Sequence, residues 1–445
     1  MLYALGVLIF AVGLLISIAL HEVGHMVPAK KFGVKVTQYM VGFGPTVWSR
    51  KKGDTEYGIK GIPLGGYIRM IGMVPPPRAD GKQSRWPRRL STAIEDFRHV
   101  SRAEVEPGDE ERQFYRLTPG KKMIVMLGGP CMNLIIYLIL TTILLLTMGL
   151  PSSEATTQVG SVSKCLAPAT ATQAQIKACT AKNTPAALAG FKAGDRIVAV
   201  NGTKITSWDQ LISLVEPAVG KKLDFTVLRK GADVALNATP VRNLKCANDT
   251  CSHTKEAGFL GIAPVERDYF ATQSITDVPG QIVSQIAVGG RAIGSYPSKL
   301  HSLWQTIFDG KPRDPQGAVG VVGISRIGGQ IADSHRIGWE DKLYSLIGLL
   351  ASVNLLLFFF NLLPLLPLDG GHVAGALVEA VKRGRARLRA RAERRRDPTA
   401  PAATRPQIFV DTAQMLPVMY AVASVLIVIT LLTLYADIVK PINIG

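Results

Sequence analysis

The sequence predicts a polytopic α-helical membrane protein with four transmembrane helices, a strand-rich inner segment and a compact α+β domain on the outer side. Three observations lead there. Four apolar runs, at 2–20, 123–148, 343–363 and 415–435, each match the roughly 20 residues that cross a bilayer core. The 445 residues are 47% hydrophobic and the mean hydropathy is positive. Basic residues concentrate in the segments that follow the first and third runs.

The expected order along the chain is as follows. Transmembrane helix 1 covers 1–25, an inner strand-rich region and linker 26–121, and transmembrane helix 2 122–150. The outer domain covers 155–265 and an outer linker 266–342. Transmembrane helix 3 covers 343–372, an Arg-rich inner loop, helical in part, 373–412, and transmembrane helix 4 413–437. The first run lacks the basic start and small-residue cleavage site of a signal peptide, so it is expected to stay as a span.

The formal net charge of +18 is unevenly spread. Lys30, Lys31, Lys35, Arg50, Lys51, Lys52 and a cluster at 78–89 follow the first run, and RGRARLRARAERRR, residues 383–396, follows the third. The positive-inside rule assigns both loops to the cytoplasm and the long middle segment to the outside. Only Trp86 interleaves with these clusters, which argues against nucleic acid and for anionic lipid headgroups as the partner. Cysteine usage agrees. Cys131 lies within the second run, whereas Cys165, Cys179, Cys246 and Cys251 all fall in the outer segment, an even number suited to disulfides in an oxidising compartment. The expected pairs are Cys165 with Cys179 and Cys246 with Cys251; a zinc knuckle of Cys246, Cys251 and His253 is the alternative.

Within the inner region, VKVTQYMVGFGPTVWSR and TEYGIKGIPLGGYIRMIGM alternate apolar with small or polar residues and read as hairpins. In the outer segment, RIVAV reads as a strand, Asn201-Gly202 as a turn, and the stretch from Ser207 as an amphipathic helix. Trp208 and Leu211, three apart on that helix, are expected in the core. LDFTVLRKG and DVALNATPV supply further strands.

The chemistry concentrates in HEVGH, residues 21–25, at the end of the first run. His21 and His25 are i and i+4, so a helix turns both imidazoles to one face, where they can share a metal ion. Glu22 stands beside them as a proton carrier that is not itself a ligand. Zinc suits such a site, because imidazole nitrogens bind it and three protein ligands leave a position open. A third ligand is offered at the end of the third run, in NLLPLLPLDGGH: Asp369 follows Pro364 and Pro367, which break the helix. His372 competes with it, and Asp369 is favoured because it stands nearer the membrane core. The first run enters from outside and reaches His21 after roughly 30 Å, at about 1.5 Å per residue. The third also runs inward, so both costly polar clusters fall at one depth near the cytoplasmic face.

At these residues the chain resembles the site-2 protease family of intramembrane zinc metalloproteases, in its bacterial branch with a PDZ domain. HEVGH matches the family's H-E-x-x-H, and NLLPLLPLDGG, residues 361–371, matches its N-x-x-P…L-D-G motif, with the second proline displaced by one residue. LGGPCMN, residues 127–133, looks like its small-residue motif, and GFGPTVW and IPLGGYIRM like its membrane re-entrant β-hairpins. TPAALAGFKAGDRIVAVNG is similar to bacterial PDZ domains, and GAVGVVGISRIGG to the segment before the third span, without a usual proline. The Cys-bearing insertions and the Arg-rich loop point to a subfamily such as the actinobacterial one.

The resemblance implies that His21, His25 and Asp369 bind Zn2+, that Glu22 is the catalytic base or acid, and that Asn361 holds the substrate strand. It implies regulated intramembrane proteolysis of single-span membrane proteins, such as anti-sigma factors or remnant signal peptides, near the cytoplasmic face of the cell membrane. The PDZ domain would lie outside the cell and either take a C-terminal peptide, such as a freshly cut substrate end, or sterically exclude bulky outer domains. The alternative is a non-catalytic PDZ scaffold with a structural metal. A transporter is disfavoured by the lack of an evident inverted repeat.

Overall fold

The computed structural model describes residues 2–77, 87–166, 184–246, 254–335, 338–396 and 409–442, in two units: Met1–Met148 with Gln273–Gly445, and Gly149–Thr272. The first unit begins with helix α1, Leu2–Lys31. The helix continues beyond HEVGH, and Lys30 and Lys31 close it where cations suit the helix C-terminus. Strands β1, Val36–Lys52, and β2, Thr55–Met70, then pair antiparallel.

These two strands are long enough to fold back on themselves. The stretch 36–41 has 66–70 on one side and 56–59 on the other, and 46–52 pairs with 55–60. The result is a curled ribbon whose 66–70 edge lies against α1. Tyr39 Oη, from the neighbouring 36–41 stretch, donates to the Ala19 carbonyl at 2.9 Å and ties the ribbon to α1. Helix α2, Arg88–Ala103, precedes α3, Pro119–Thr147, which starts with proline at its first position. Ala29, Val34, Val36, Met70, Phe114, Val125 and Met126 bury together and join the end of α1, the ribbon and α3.

The second unit is built on a six-stranded sheet. Its strands are β3, Leu150–Val162; β4, Arg196–Val200; β5, Thr203–Lys204; β6, Leu223–Arg229; β7, Ala232–Ala238; and β10, Ile262–Ala271. They lie in the order β10-β3-β4-β6-β7, with β5 paired to β4. A short helix α4, Pro185–Leu188, and helix α5, Trp208–Val215, complete it, with a separate hairpin of β8, Val241–Cys246, and β9, Thr254–Phe259. Asn201 and Gly202 both have positive φ, 48° and 76°, as a two-residue hairpin turn of this hand requires. Ser207 caps α5 by accepting from the Gln210 N–H at 3.2 Å. Trp208 and Leu211 lie in the core with Val159, Ile197, Phe225 and Val227.

Asp195 is buried in this core and is held by Arg229 through two hydrogen bonds of 2.7 Å, Nε to Oδ1 and Nη2 to Oδ2. The guanidinium holds the Asp195 carboxyl below the usual carboxylate range. Cys165 is disulfide-bonded; Cys179 and Cys251 lie outside the described residues.

The first unit resumes with three helices: α6, Val278–Gly294, α7, Tyr296–Phe308, and α8, Val321–Asp333. Helix α9, Trp339–Asn361, ends just before Pro364, which cannot continue it. A new helix, α10, starts at Asp369 and runs to Arg396, because Arg and Ala favour helix over loop through 383–396. Helix α11, Leu416–Val439, completes the unit. Asp437 near its end accepts the N–H groups of Gly320 and Gly323, both at 2.9 Å, and so anchors the start of α8. Among the described residues four helical stretches are long and apolar enough to cross a membrane: Leu2–Lys31, Pro119–Thr147, Trp339–Asn361 and Thr412–Val439.

Candidate metal centre

His21 and His25 project from one face of α1, one helical turn apart, with ring centroids 4.8 Å apart. Their Nε2 atoms are 3.2 Å apart, and each lies 3.3 Å from Oδ2 of Asp369. The carboxylate reaches them because α9 stops, the 362–368 segment turns, and α10 begins at Asp369 itself. A Cβ on Gly370 would come within 2.3 Å of the Leu363 carbonyl, so the turn needs glycine there.

These three spacings fit a zinc ion. Charge-assisted N–H···O bonds prefer about 2.7–2.9 Å, and 3.3 Å is long for one. Ligands at about 2.0–2.1 Å from a tetrahedral centre stand about 3.3 Å from one another. The donor set, two imidazole nitrogens and one carboxylate oxygen, is also the set zinc takes when a fourth position stays open.

The centre depends on how closely α3 approaches α1. A Cβ on Gly128 would sit 2.0 Å from the Gly24 carbonyl, and one on Gly129 only 2.2 Å from His25 Nε2. Glycines at these positions let the backbones meet. The contact brings the Val125 carbonyl to 2.8 Å from His25 Nδ1, which donates to it and leaves Nε2 free to ligate. It also brings Asn133, 1% exposed, to 3.1 Å from His21 Nδ1. The sequence reading included Asn133 only in a small-residue motif; the available signal was a lone amide inside an apolar span.

Glu22 follows His21 and faces the ribbon rather than α3. A Cβ on Gly66 would lie 3.2 Å from its Cγ, which places the side chain against the 66–68 stretch of the ribbon. His372 lies one turn beyond Asp369 on α10 and lines a small cavity with Lys122 and Glu379, outside the triangle of His21, His25 and Asp369. Asn361 is the last residue of α9 and half-buried, eight residues before Asp369.

The pattern of peptidase family M50 matches residues 9–394. The zinc metalloprotease Rip1 of Mycobacterium tuberculosis is 34% identical over all of this chain and 99% of its own length. Rip1 of Mycolicibacterium smegmatis is 32% identical over the whole of both chains. Metalloprotease MmpA of Caulobacter vibrioides is 27% identical over 85% of this chain and 88% of its own. With a family match across most of its length and full-length similarity above 30%, this chain belongs to peptidase family M50, the site-2 protease family of membrane zinc metalloproteases.

Proposed function

We propose that this chain is an intramembrane zinc endopeptidase that cuts the membrane segments of single-span proteins near the cytoplasmic face. His21, His25 and Asp369 hold the zinc, and Glu22 carries the proton. The observation that carries the assignment is the triangle of three donor atoms at 3.2–3.3 Å.

Zinc bound there supplies Lewis acidity, which polarises a scissile carbonyl and acidifies water beside it. Glu22, packed against Gly66 of the ribbon, takes the proton from the attacking water and returns it to the leaving amine. A transmembrane helix keeps its amides bonded internally, so the substrate must unwind before attack. The 66–70 edge of the ribbon runs past Glu22 and suits that need, since an unwound segment can add to it as a strand. Asn361, at the end of α9, helps to hold the same extended segment. Residues 37–73 act as re-entrant hairpins within the bilayer, and the Lys/Arg-rich inner loops rest on anionic headgroups.

The outer unit reads as a PDZ domain, and its own groove supports that. Leu211, Ile212 and Val215 of α5 line an apolar cleft together with the end of β9 and residues 260–262. Such a cleft takes a C-terminal peptide by strand addition. The substrates are membrane-anchored regulators such as anti-sigma factors, or remnant signal peptides.

The test is cleavage of single-span candidates in cells carrying wild type or Glu22→Ala, with zinc measured in each purified protein. The proposal expects no cleavage by Glu22→Ala and one zinc per chain in both. Cleavage retained by that variant would remove Glu22 from the mechanism. A chain that holds zinc but cuts nothing in either form would favour the scaffold reading.

A further inference from the structure

We propose that Asn133 is a positioning residue for zinc ligation: its side-chain oxygen accepts the Nδ1–H of His21 and so keeps the Nε2 lone pair of that ring turned towards the metal. This rests on the reading that His21 is a ligand. Three observations carry it. Asn133 is 1% exposed, and its amide nitrogen stands 3.1 Å from His21 Nδ1. Its Oδ1 is buried without a hydrogen-bond partner. The opposite ring nitrogen, Nε2, is the atom that faces both His25 Nε2 and Asp369 Oδ2.

As oriented, the amide nitrogen would donate to a lone pair on His21 Nδ1. That forces the ring proton onto Nε2, where it blocks ligation, and it leaves the amide oxygen buried without a donor. The oxygen and nitrogen of an asparagine side chain differ only by a half-turn of the amide. The turned amide offers Oδ1 to Nδ1–H, gives the oxygen a donor and frees Nε2. His25 is held in the same sense by the Val125 carbonyl on its Nδ1. One face of α3, with Val125 one turn before Gly129 and Asn133 one turn after it, therefore sets the tautomer of both imidazoles. Partners of this kind that orient metal-ligating histidines typically contribute about 10–100-fold in metal affinity.

The test is zinc affinity of the purified full-length protein, measured by competition with a chromophoric chelator, alongside thermal unfolding of the zinc-free protein. Asn133→Leu, which removes the acceptor, is expected to weaken zinc about 10–100-fold. Asn133→Ser, too short to reach the ring, should weaken it in the same direction and serves if the leucine variant does not fold. Asn133→Asp keeps an acceptor at that position and is expected to stay within about threefold of wild type. Zinc affinity unchanged in Asn133→Ser and Asn133→Leu overturns the proposal. So does equal weakening in all three variants in step with lowered unfolding temperatures, the signature of an interhelical packing role. His21→Ala is the control: if it too keeps full affinity, the failure lies with His21 as a ligand rather than with Asn133.

Discussion

His25 Nε2 lies 3.3 Å from Asp369 Oδ2, although the two are 344 positions apart in the chain. One residue belongs to the first apolar helix and the other opens the helix after the third. Their meeting within the membrane-embedded unit unites two motifs that are unconnected in sequence. If a cation joins them, Asp369→Ala loses stoichiometric zinc and cleavage together. Asp369→Glu, one methylene longer, should keep partial zinc and lose most activity, as metal analysis with a cleavage assay would register.

The glycine contact between α1 and α3 gives a second prediction. Gly128→Val drives a side chain into the Gly24 carbonyl, which stands 2.0 Å from the Cβ position. Overpacking of this kind costs about 1–3 kcal/mol. Displacement of the imidazoles by about 1 Å should lower cleavage about 100-fold. Thermal unfolding in detergent and turnover of one substrate measure both; an active, wild-type-stable variant would refute the tight contact.

Chelation should act reversibly. Phenanthroline is expected to stop cleavage, and added zinc, but not magnesium, to restore it, because two imidazoles and one carboxylate suit a borderline-soft tetrahedral ion. Restoration by magnesium alone would contradict this donor set.

The Asp195–Arg229 pair sets the acid response of the outer unit. The folded-state pKa of Asp195 is lowered, chiefly by Arg229. The pair's contribution is therefore complete above the unfolded value near 3.9 and is lost as pH falls through the lowered folded value. Hydrogen exchange of β4 and β6 amides in the full chain should be flat in this respect from pH 7 to 5. The pair's protection should drop out below about pH 4. Arg229→Met leaves a buried carboxylate unpaired. It should cost about 3 kcal/mol at pH 7, the low end for breaking such a pair, since 24% of the arginine side chain is exposed. Unchanged exchange in that variant would refute it.

Peptide mapping without reduction should recover Cys165 joined to Cys179. A link from Cys165 to Cys246 or Cys251 would instead tie the two insertions of the outer unit together.

Much of this molecule was legible because its strongest signals are local. The i, i+4 histidines need only a helix to converge, Asn201-Gly202 needs only its own backbone preference, and Ser207 announces a helix start. Asp369 could be read because an acid after an apolar run is costly unless used. Asn133 was harder, since its meaning depends on which residue of another helix faces it, and single-residue polarity carries no such address. Helices α6, α7 and α8 were missed, their Gly- and Pro-rich segments blurring the apolar period. The extension of α10 to Arg396 was legible only as a loop helical in part, because charge density masks the helix propensity that prevails there.

The central claim is most directly tested by X-ray absorption at the zinc edge of the purified, zinc-loaded full-length protein. The account predicts a first shell of two imidazole nitrogens and light oxygen donors at about 2.0–2.1 Å, collapsing when Asp369 or His25 is replaced by alanine. Sulfur at about 2.3 Å, or an unaltered shell in both variants, would contradict it.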